Sequence, residues 1–331
     1  MRTSRAVVCG VTGLLVVLAA CSSSPAHPTS AYTQLSISQA YSDYAEFLPQ
    51  FANLSADPAD IAKLTTGPET QVISASRSVP GPAVSGLIDT RILVPKLTRY
   101  PRWFVAIGDT SSNEAVLFVL VQHAAGGRWR ETAELYDLGD QAQIVPDLAA
   151  AGFRNVVMTT AVPAAGAPLA MQPAQLPAAY AQYLNDRGTG TQSGQFEPGS
   201  YTTGLISLEQ TATAGAPPDG WKYTDAQTAA GLPEYALSVP SGNGAAVIFF
   251  TIDTVTWTAT SARARMTPAT YSGLAEPPLA MLQALGVTSV HAGLRVSVKA
   301  IDENLAIIGP PGSDGVTIAA NSGRTFSLTK S

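Results

Sequence analysis

The side chains able to do chemistry are few, and their spacing narrows them further. Cysteine occurs twice, as Cys9 and Cys21. Both lie within or directly behind the apolar run Ala6–Leu18. The rest of the chain therefore has no thiol for a disulfide, a thiolate metal site or a covalent intermediate. Histidine occurs three times, as His27, His123 and His291, with no partner at metal-ligand spacing. A Gly-x-Ser-x-Gly elbow and the phosphate-binding glycine loops are absent. The prolines of Gly309-Pro310-Pro311-Gly312 remove amide donors that a phosphate nest would need. One carboxylate stands out. On one side of an expected strand, Val247, Phe249, Thr251, Asp253, Val255 and Trp257 follow one another. An acid among aromatic and branched neighbours is desolvated, which raises its pKa and suits a general base or a polar anchor for a ligand. Asp253 and Trp257 are therefore the candidate ligand-binding residues. No catalytic residue, metal or cofactor is expected.

Cys21 carries the most specific pattern. Arg2 and Arg5 make a positive start, and Ala6–Leu18 form an apolar stretch too short to span a bilayer comfortably. Small residues then lead into the cysteine, which is the layout of a secretory signal. Leu18-Ala19-Ala20-Cys21 resembles the lipobox of bacterial lipoproteins. The resemblance implies that residues 1–20 are a signal peptide, that the Cys21 sulfur receives a diacylglycerol with palmitate among its acyl chains, and that Cys21 begins the mature chain. Two acyl chains hold a protein stably at a membrane, at about 0.8 kcal/mol per buried methylene. The expected location is the extracytoplasmic face of the cell membrane, with residues 21–31 as a polar lipidated tether.

Composition sets the outer bounds. Of 331 residues, 13% are charged, about half the usual share. Without Arg2 and Arg5 the chain carries 17 basic and 24 acidic side chains, a net charge of −7. With no Lys/Arg run, this argues against a nucleic-acid surface. The length suffices for two ordinary domains.

The elements that must position Asp253 follow from periodicity. Ile37, Ala40, Tyr41, Tyr44, Phe47, Leu48 and Phe51 recur at helical steps, with Pro49 expected to end or kink the helix. Asp57-Pro58 reads as a helix start and Gly67-Pro68 as its stop. Period-two segments follow at Leu87–Leu97, Trp103–Gly108, Ala115–His123 and Arg128–Tyr136, with turns at Asp109–Asn113 and Ala124–Gly127. The Pro- and Ala-rich stretch 161–172 is read as a linker. A second helix carries Leu176, Tyr180, Tyr183 and Leu184. Period-two segments then recur at Tyr235–Val239, Ala245–Thr258, Leu294–Ile301, Leu305–Ile308 and Val316–Ala319, with a short helix at Pro277–Leu285 and a hairpin at Asp302-Glu303-Asn304. Ala40-Tyr41-Ser42-Asp43-Tyr44 matches Ala179-Tyr180-Ala181-Gln182-Tyr183, which suggests a duplication. The expected fold is α+β in two tandem units, 32–160 and 173–331, each an N-terminal helix packed on a curved antiparallel sheet.

This order of elements resembles the nuclear transport factor 2-like and cystatin-like cone folds. The chain also resembles uncharacterised tandem-domain lipoproteins of high-GC Gram-positive bacteria, most recognisably at Tyr100-Pro101-Arg102-Trp103-Phe104-Val105-Ala106. Fold alone selects no activity. The expectation is a non-catalytic binding or scaffolding module of the cell envelope, tied to the membrane through Cys21, whose partner is an envelope protein or a small apolar ligand. The alternative is a small hydrophobic-ligand binder or enzyme with a cone-shaped pocket centred on Asp253.

Overall fold

The computed structural model describes residues 33–78, 88–109, 115–137, 148–151, 153, 158–160, 168–214, 220–239, 244–262, 264, 279–313 and 315–331. Residues 1–32, and with them Cys21, the signal and the tether, lie outside these, as do most of the turn at 109–113 and residues 161–167 of the expected linker.

Three helices open the described chain. Ser36 caps α1 (Ile37–Ala52) by accepting the Gln39 amide at 3.1 Å, and Ala40, Tyr44, Phe47 and Phe51 form its buried stripe. Pro49 lies inside this helix rather than ending it. So near the end it removes a single backbone donor, and the Asn53 side chain takes up the Pro49 carbonyl at 2.8 Å. α2 (Pro58–Leu64) begins as read, with Asp57 accepting the Ala59 amide at 2.8 Å. α2 ends before Gly67-Pro68, as read, and a third helix follows at once. Gly67 turns the chain at φ +62°, and Pro68 starts α3 (Pro68–Ser78), since proline suits a first helical turn.

A meander of β1 (Ile88–Lys96), β2 (Arg102–Asp109), β3 (Ala115–Gln122) and β4 (Arg130–Asp137) follows, with β5 (Met158–Thr160) added in parallel beside β1. β3 is buried along its whole length, as its two-sided apolar sequence requires. The second half holds α4 (Leu176–Asn185), α5 (Leu205–Ala214), β6 (Trp221–Ala229), β7 (Tyr235–Ser238), β8 (Ala245–Ala259), α6 (Leu279–Ala284), β9 (Arg295–Ile308) and β10 (Val316–Lys330). Its sheet runs β10-β9-β8-β6, and β7 shares the β6 edge of β8. The fold is α+β.

The layers run helices, sheet, sheet, helices. α1 and α2 pack on one face of the first sheet through Tyr44, Phe47, Phe51 and Ile61 against Phe104 and Phe118. α4 and α5 pack on the second through Tyr180, Tyr183 and Ile206 against Val247 and Phe249. The remaining faces meet in one shared interior that includes Val105, Leu117 and Leu135 from the first sheet and Ile248, Phe250 and Leu305 from the second. Trp103 meets Tyr235 edge-on across it at 5.2 Å. The stretch 161–172 thus marks a change of sheet rather than a gap between two interiors, and its Leu169 and Met171 are buried under the second sheet's helices. The matched pentapeptides do not occupy equivalent places. Tyr41 is 42% exposed, whereas Tyr180 is wholly buried.

Asp302-Glu303-Asn304 is not a hairpin but the middle of the 14-residue β9, and β10 continues to Lys330. Three consecutive polar residues stay in a central strand because each finds polar company. Asp302 and Asn304 face the helix side, where Asn304 donates to Thr251 at 3.3 Å and accepts from Asn321 at 2.8 Å. Glu303 faces the other sheet. There its Oε2 accepts the Glu134 amide at 2.6 Å, while Ser322 accepts the Tyr136 amide at 2.7 Å. These two amides belong to β4, the edge strand of the first sheet, so side chains of the second sheet close an edge that would otherwise be open.

One cation organises this junction. Arg324 Nη1 donates to Glu69 at 3.0 Å and to Glu134 at 2.8 Å, and Nη2 to Glu69 at 2.5 Å and to Glu303 at 2.7 Å. Glu69 and Glu134 come from the first half of the chain, Glu303 and Arg324 from the second. Burial pushes the Glu303 carboxyl above the usual carboxylate range, and Arg324 draws it back only in part. Removing the one cation from such a cluster strands buried carboxylates, at a cost of about 3–5 kcal/mol. Arg324→Met is therefore expected to lower the unfolding free energy by about that much in a urea titration; a loss below about 1 kcal/mol, the scale of an exposed pair, would contradict this role.

Candidate functional site

Asp253 sits in a gap between two apolar patches on the helix-facing side of the second sheet. Val247 and Phe249 pack under α4, and Val255 and Trp257 pack with Leu282 of α6. Thr251 and Asp253 fall between these patches. β6 supplies the neighbouring wall. Its Trp221, Tyr223, Asp225 and Gln227 turn toward the helices while Lys222, Thr224, Ala226 and Thr228 face out. Gln227 lies opposite Asp253 in the ladder and Asp225 opposite Val255.

The helical side is built to meet this strand. The Asn185 side chain, at the end of α4, donates to the Gln227 carbonyl at 2.7 Å and accepts the Gln227 amide at 2.8 Å, closing the outer edge of β6 at that residue. The helix then ends through two left-handed residues, Arg187 at φ +52° and Gly188 at φ +69°, with the Gly188 amide returned to the Tyr183 carbonyl at 2.9 Å. This turn brings Arg187 to the rim of a cleft of about 320 Å³, whose polar lining includes Asn185, Arg187, Glu209, Tyr223, Asp225 and Gln227. Glu209 comes from α5.

Two acids, Glu209 and Asp225, line the cleft together with the basic Arg187, and Asp253 and Asp302 adjoin it through Asp225 and Gln227. Burial, then the hydrogen bond and charge of Asp225, raise Asp253 to about 10. Burial raises Asp302 to about 7, against donation from Gln227 and Thr251. Burial and the charge of Asp225 raise Glu209 to about 7, with Arg187 pulling the other way. Gly323, across from Asp302 in β10, leaves room for this crowding, since a Cβ there would stand 2.8 Å from Asp302 Oδ1. Apart from the contact between Asp225 and Asp253, three oxygens meet no donor among the described residues: Asp225 Oδ1, Asp253 Oδ1 and Gln227 Oε1. Gln227 is only 6% exposed, so water does not compensate it freely.

Of the residues singled out in the sequence, Asp253 lies at this site. Trp257 does not line the cleft. It is 4% exposed and packs edge-on behind Tyr223 at 6.0 Å. The other tryptophans, Trp103, Trp129 and Trp221, are buried as well. His123 is exposed at a strand end and His291 in a turn. Sequence reasoning does not single out Asp225 and Gln227, because β6 turns polar residues inward, nor Glu209, which is one acid on a short helix. The alternation of Trp221 and Tyr223 with Lys222 and Thr224 was the available signal.

The raised pKa values fix a pH dependence. A carboxyl that binds its proton more tightly when folded makes its full contribution to stability below its unfolded pKa, near 4, and loses it as pH rises through the folded value. For Asp302 and Glu209 the loss runs from about 4 to about 7, and for Asp253 it extends to about 10. Asp253→Asn, which keeps the shape of the neutral acid, is expected to match wild type within about 1 kcal/mol at pH 5 and to lose less stability between pH 7 and 9 in denaturant titrations. Parallel curves for the two proteins would show that Asp253 is ionised at neutral pH.

Comparison with curated proteins and with solved structures finds no match. A family model described as "Domain of unknown function (DUF8094)" matches residues 52–288, a span that includes Glu209, Asp225 and Asp253. Covering more than half of the chain, the match shows that this protein belongs to that family.

Proposed function

We propose that this chain is a lipid-anchored extracytoplasmic protein of the cell envelope, and that its body is a non-catalytic binding module which takes a small organic cation into the cleft of the second sheet. Support for the anchor comes from the sequence of residues 1–21, where a positive start, a short apolar run and small residues precede Cys21. Among the described residues no helix is long and apolar enough to cross a membrane. The attachment proposed is a diacylglyceryl thioether on Cys21. The body is read as two related α+β units, each opening on helices that precede its first strand in the chain. That reading is supported by the outer position of α1 on one sheet and α4 on the other.

The observation that carries the binding reading is a cleft of about 320 Å³ lined by Glu209, Asp225 and Gln227 and backed by Asp253 and Asp302, with oxygens of Asp225, Gln227 and Asp253 that meet no donor among the described residues. That volume is at the lower end for small-molecule sites. An ammonium group supplies positive charge beyond that of Arg187 and N–H donors for the unpartnered oxygens of Asp225 and Gln227. An apolar ligand centred on Asp253 has less support, because the groups around the acid are themselves polar and Trp257 is packed away behind Tyr223.

Two measurements test the reading. Metabolic labelling with an alkyne fatty acid should mark the wild-type protein and not Cys21→Ala; equal labelling of both would remove the anchor. Calorimetric titration with ethanolamine and putrescine should give binding that tightens from pH 6 to pH 8, as Glu209 and Asp302 give up protons near 7. Asp225→Asn should weaken that binding at least tenfold, about 1.4 kcal/mol. Binding of neither amine, or binding indifferent to Asp225, would overturn the cation reading.

A further inference from the structure

Glu131 is the unexplained member of the cluster around Arg324. Arg324 engages both carboxylate oxygens of Glu69, Oε2 of Glu134 and Oε1 of Glu303, and Oε2 of Glu303 takes the Glu134 amide. Glu131 is 0% exposed, and neither of its oxygens has a hydrogen-bond partner among the described residues. Glu134 Oε1 has none either. A bulge in β4 opposite Val119 and Leu120 shifts the strand's alternation, and both Glu131 and Glu134 are buried beside Glu69 of α3. One carboxylate oxygen from each of Glu69, Glu131 and Glu134 lies within 4.8 Å of the other two.

Four carboxylates and one guanidinium leave three negative charges if all the acids ionise, in a place where charge is not left unpaired. Protons could remove part of that charge. A protonated Glu131 would still carry a hydroxyl donor in need of an acceptor, and no such bond is made. A cation satisfies the oxygens directly. Two oxygens bound to one ion at about 2.4 Å stand no more than about 4.8 Å apart, a limit within which these three fall. The donors are all hard carboxylate oxygens, with no histidine or cysteine, which selects calcium or magnesium over zinc or copper. We propose that Glu69, Glu131 and Glu134 bind one hard divalent cation at the β4 edge of the first sheet, on its helix-covered face beside α3 and the Arg324 pairs. The ion is taken up as the chain folds and links α3 to the edge strand of the first sheet.

The site is distinct from the acidic cleft, and its test uses the whole chain. The protein is unfolded in urea with a chelator, then refolded with calcium chloride, with magnesium chloride or with chelator alone. One of the two salts is expected to raise the Tm by several degrees and to leave about one ion per chain by elemental analysis after desalting. Glu131→Gln, which keeps the shape and removes the charge, is expected to refold in chelator and to lose both the shift and the ion. No retained ion and no shift with either salt would overturn the site, as would a response that Glu131→Gln shares with wild type. A response abolished by Asp225→Asn instead would place the ion in the cleft and overturn it equally. Should Glu131→Gln fail to fold, the ion content of refolded wild type decides alone: one ion per chain supports the site and none overturns it.

Discussion

The guanidinium of Arg324 is the constraint on which the arrangement of the two halves depends. It reaches Glu69 on a helix, Glu134 on the edge strand of one sheet and Glu303 in the middle of the other, so α3, β4, β9 and β10 must meet at one point and in one register. Apolar packing alone would hold two sheets face to face without choosing how far one slides along the other. A buried, bidentate, charge-assisted set of hydrogen bonds does choose. The side chain also does what a sheet edge requires, because Glu303, held by Arg324, is the group that accepts the edge-facing amide of Glu134.

The second sheet solves the same edge problem on its far side in a different way. There the amide side chain of Asn185 pairs with the backbone of Gln227. The acids of the cleft are collected around that contact. β9 connects the two places. Asp302 and Glu303 are neighbours in sequence and point to opposite faces, one to the helix side next to Gln227 of the cleft and one into the sheet-to-sheet interior. The polar triplet 302–304 is thus a hinge between two electrostatic environments rather than a break in the strand.

Much of this was legible beforehand where burial is simple. The four strands of the first meander, the stripe of α1 and the two-sided burial of β3 follow from hydrophobic period alone. So does the face of β8 that carries Asp253. What escaped was polar. Asp302-Glu303-Asn304 looked like a turn because the partners that make it a strand, Thr251, Asn321 and Arg324, lie 17 to 53 residues away or across the sheet. β6 was missed for the same reason, since Asp225 and Gln227 point inward. In the sequence, Glu131 alternates with Trp129, Ala133 and Leu135 and is the one acid on that side of the segment. Its burial beside Glu69 depends on a bulge and on a helix that starts at Pro68, and neither leaves a periodic trace. The split at 161–172 was read from composition, which cannot reveal that residues on either side share an interior.

The account rests on the edge of β4 being closed by the other half of the chain. Native-state hydrogen exchange reads this directly at the amides of Glu134 and Tyr136, which donate to Glu303 and Ser322. If the closure holds, both amides exchange only through global unfolding, with the same free energy as the amides of the central strand β3. Exchange at these two positions many-fold faster than at β3, through local opening at an edge, would contradict it.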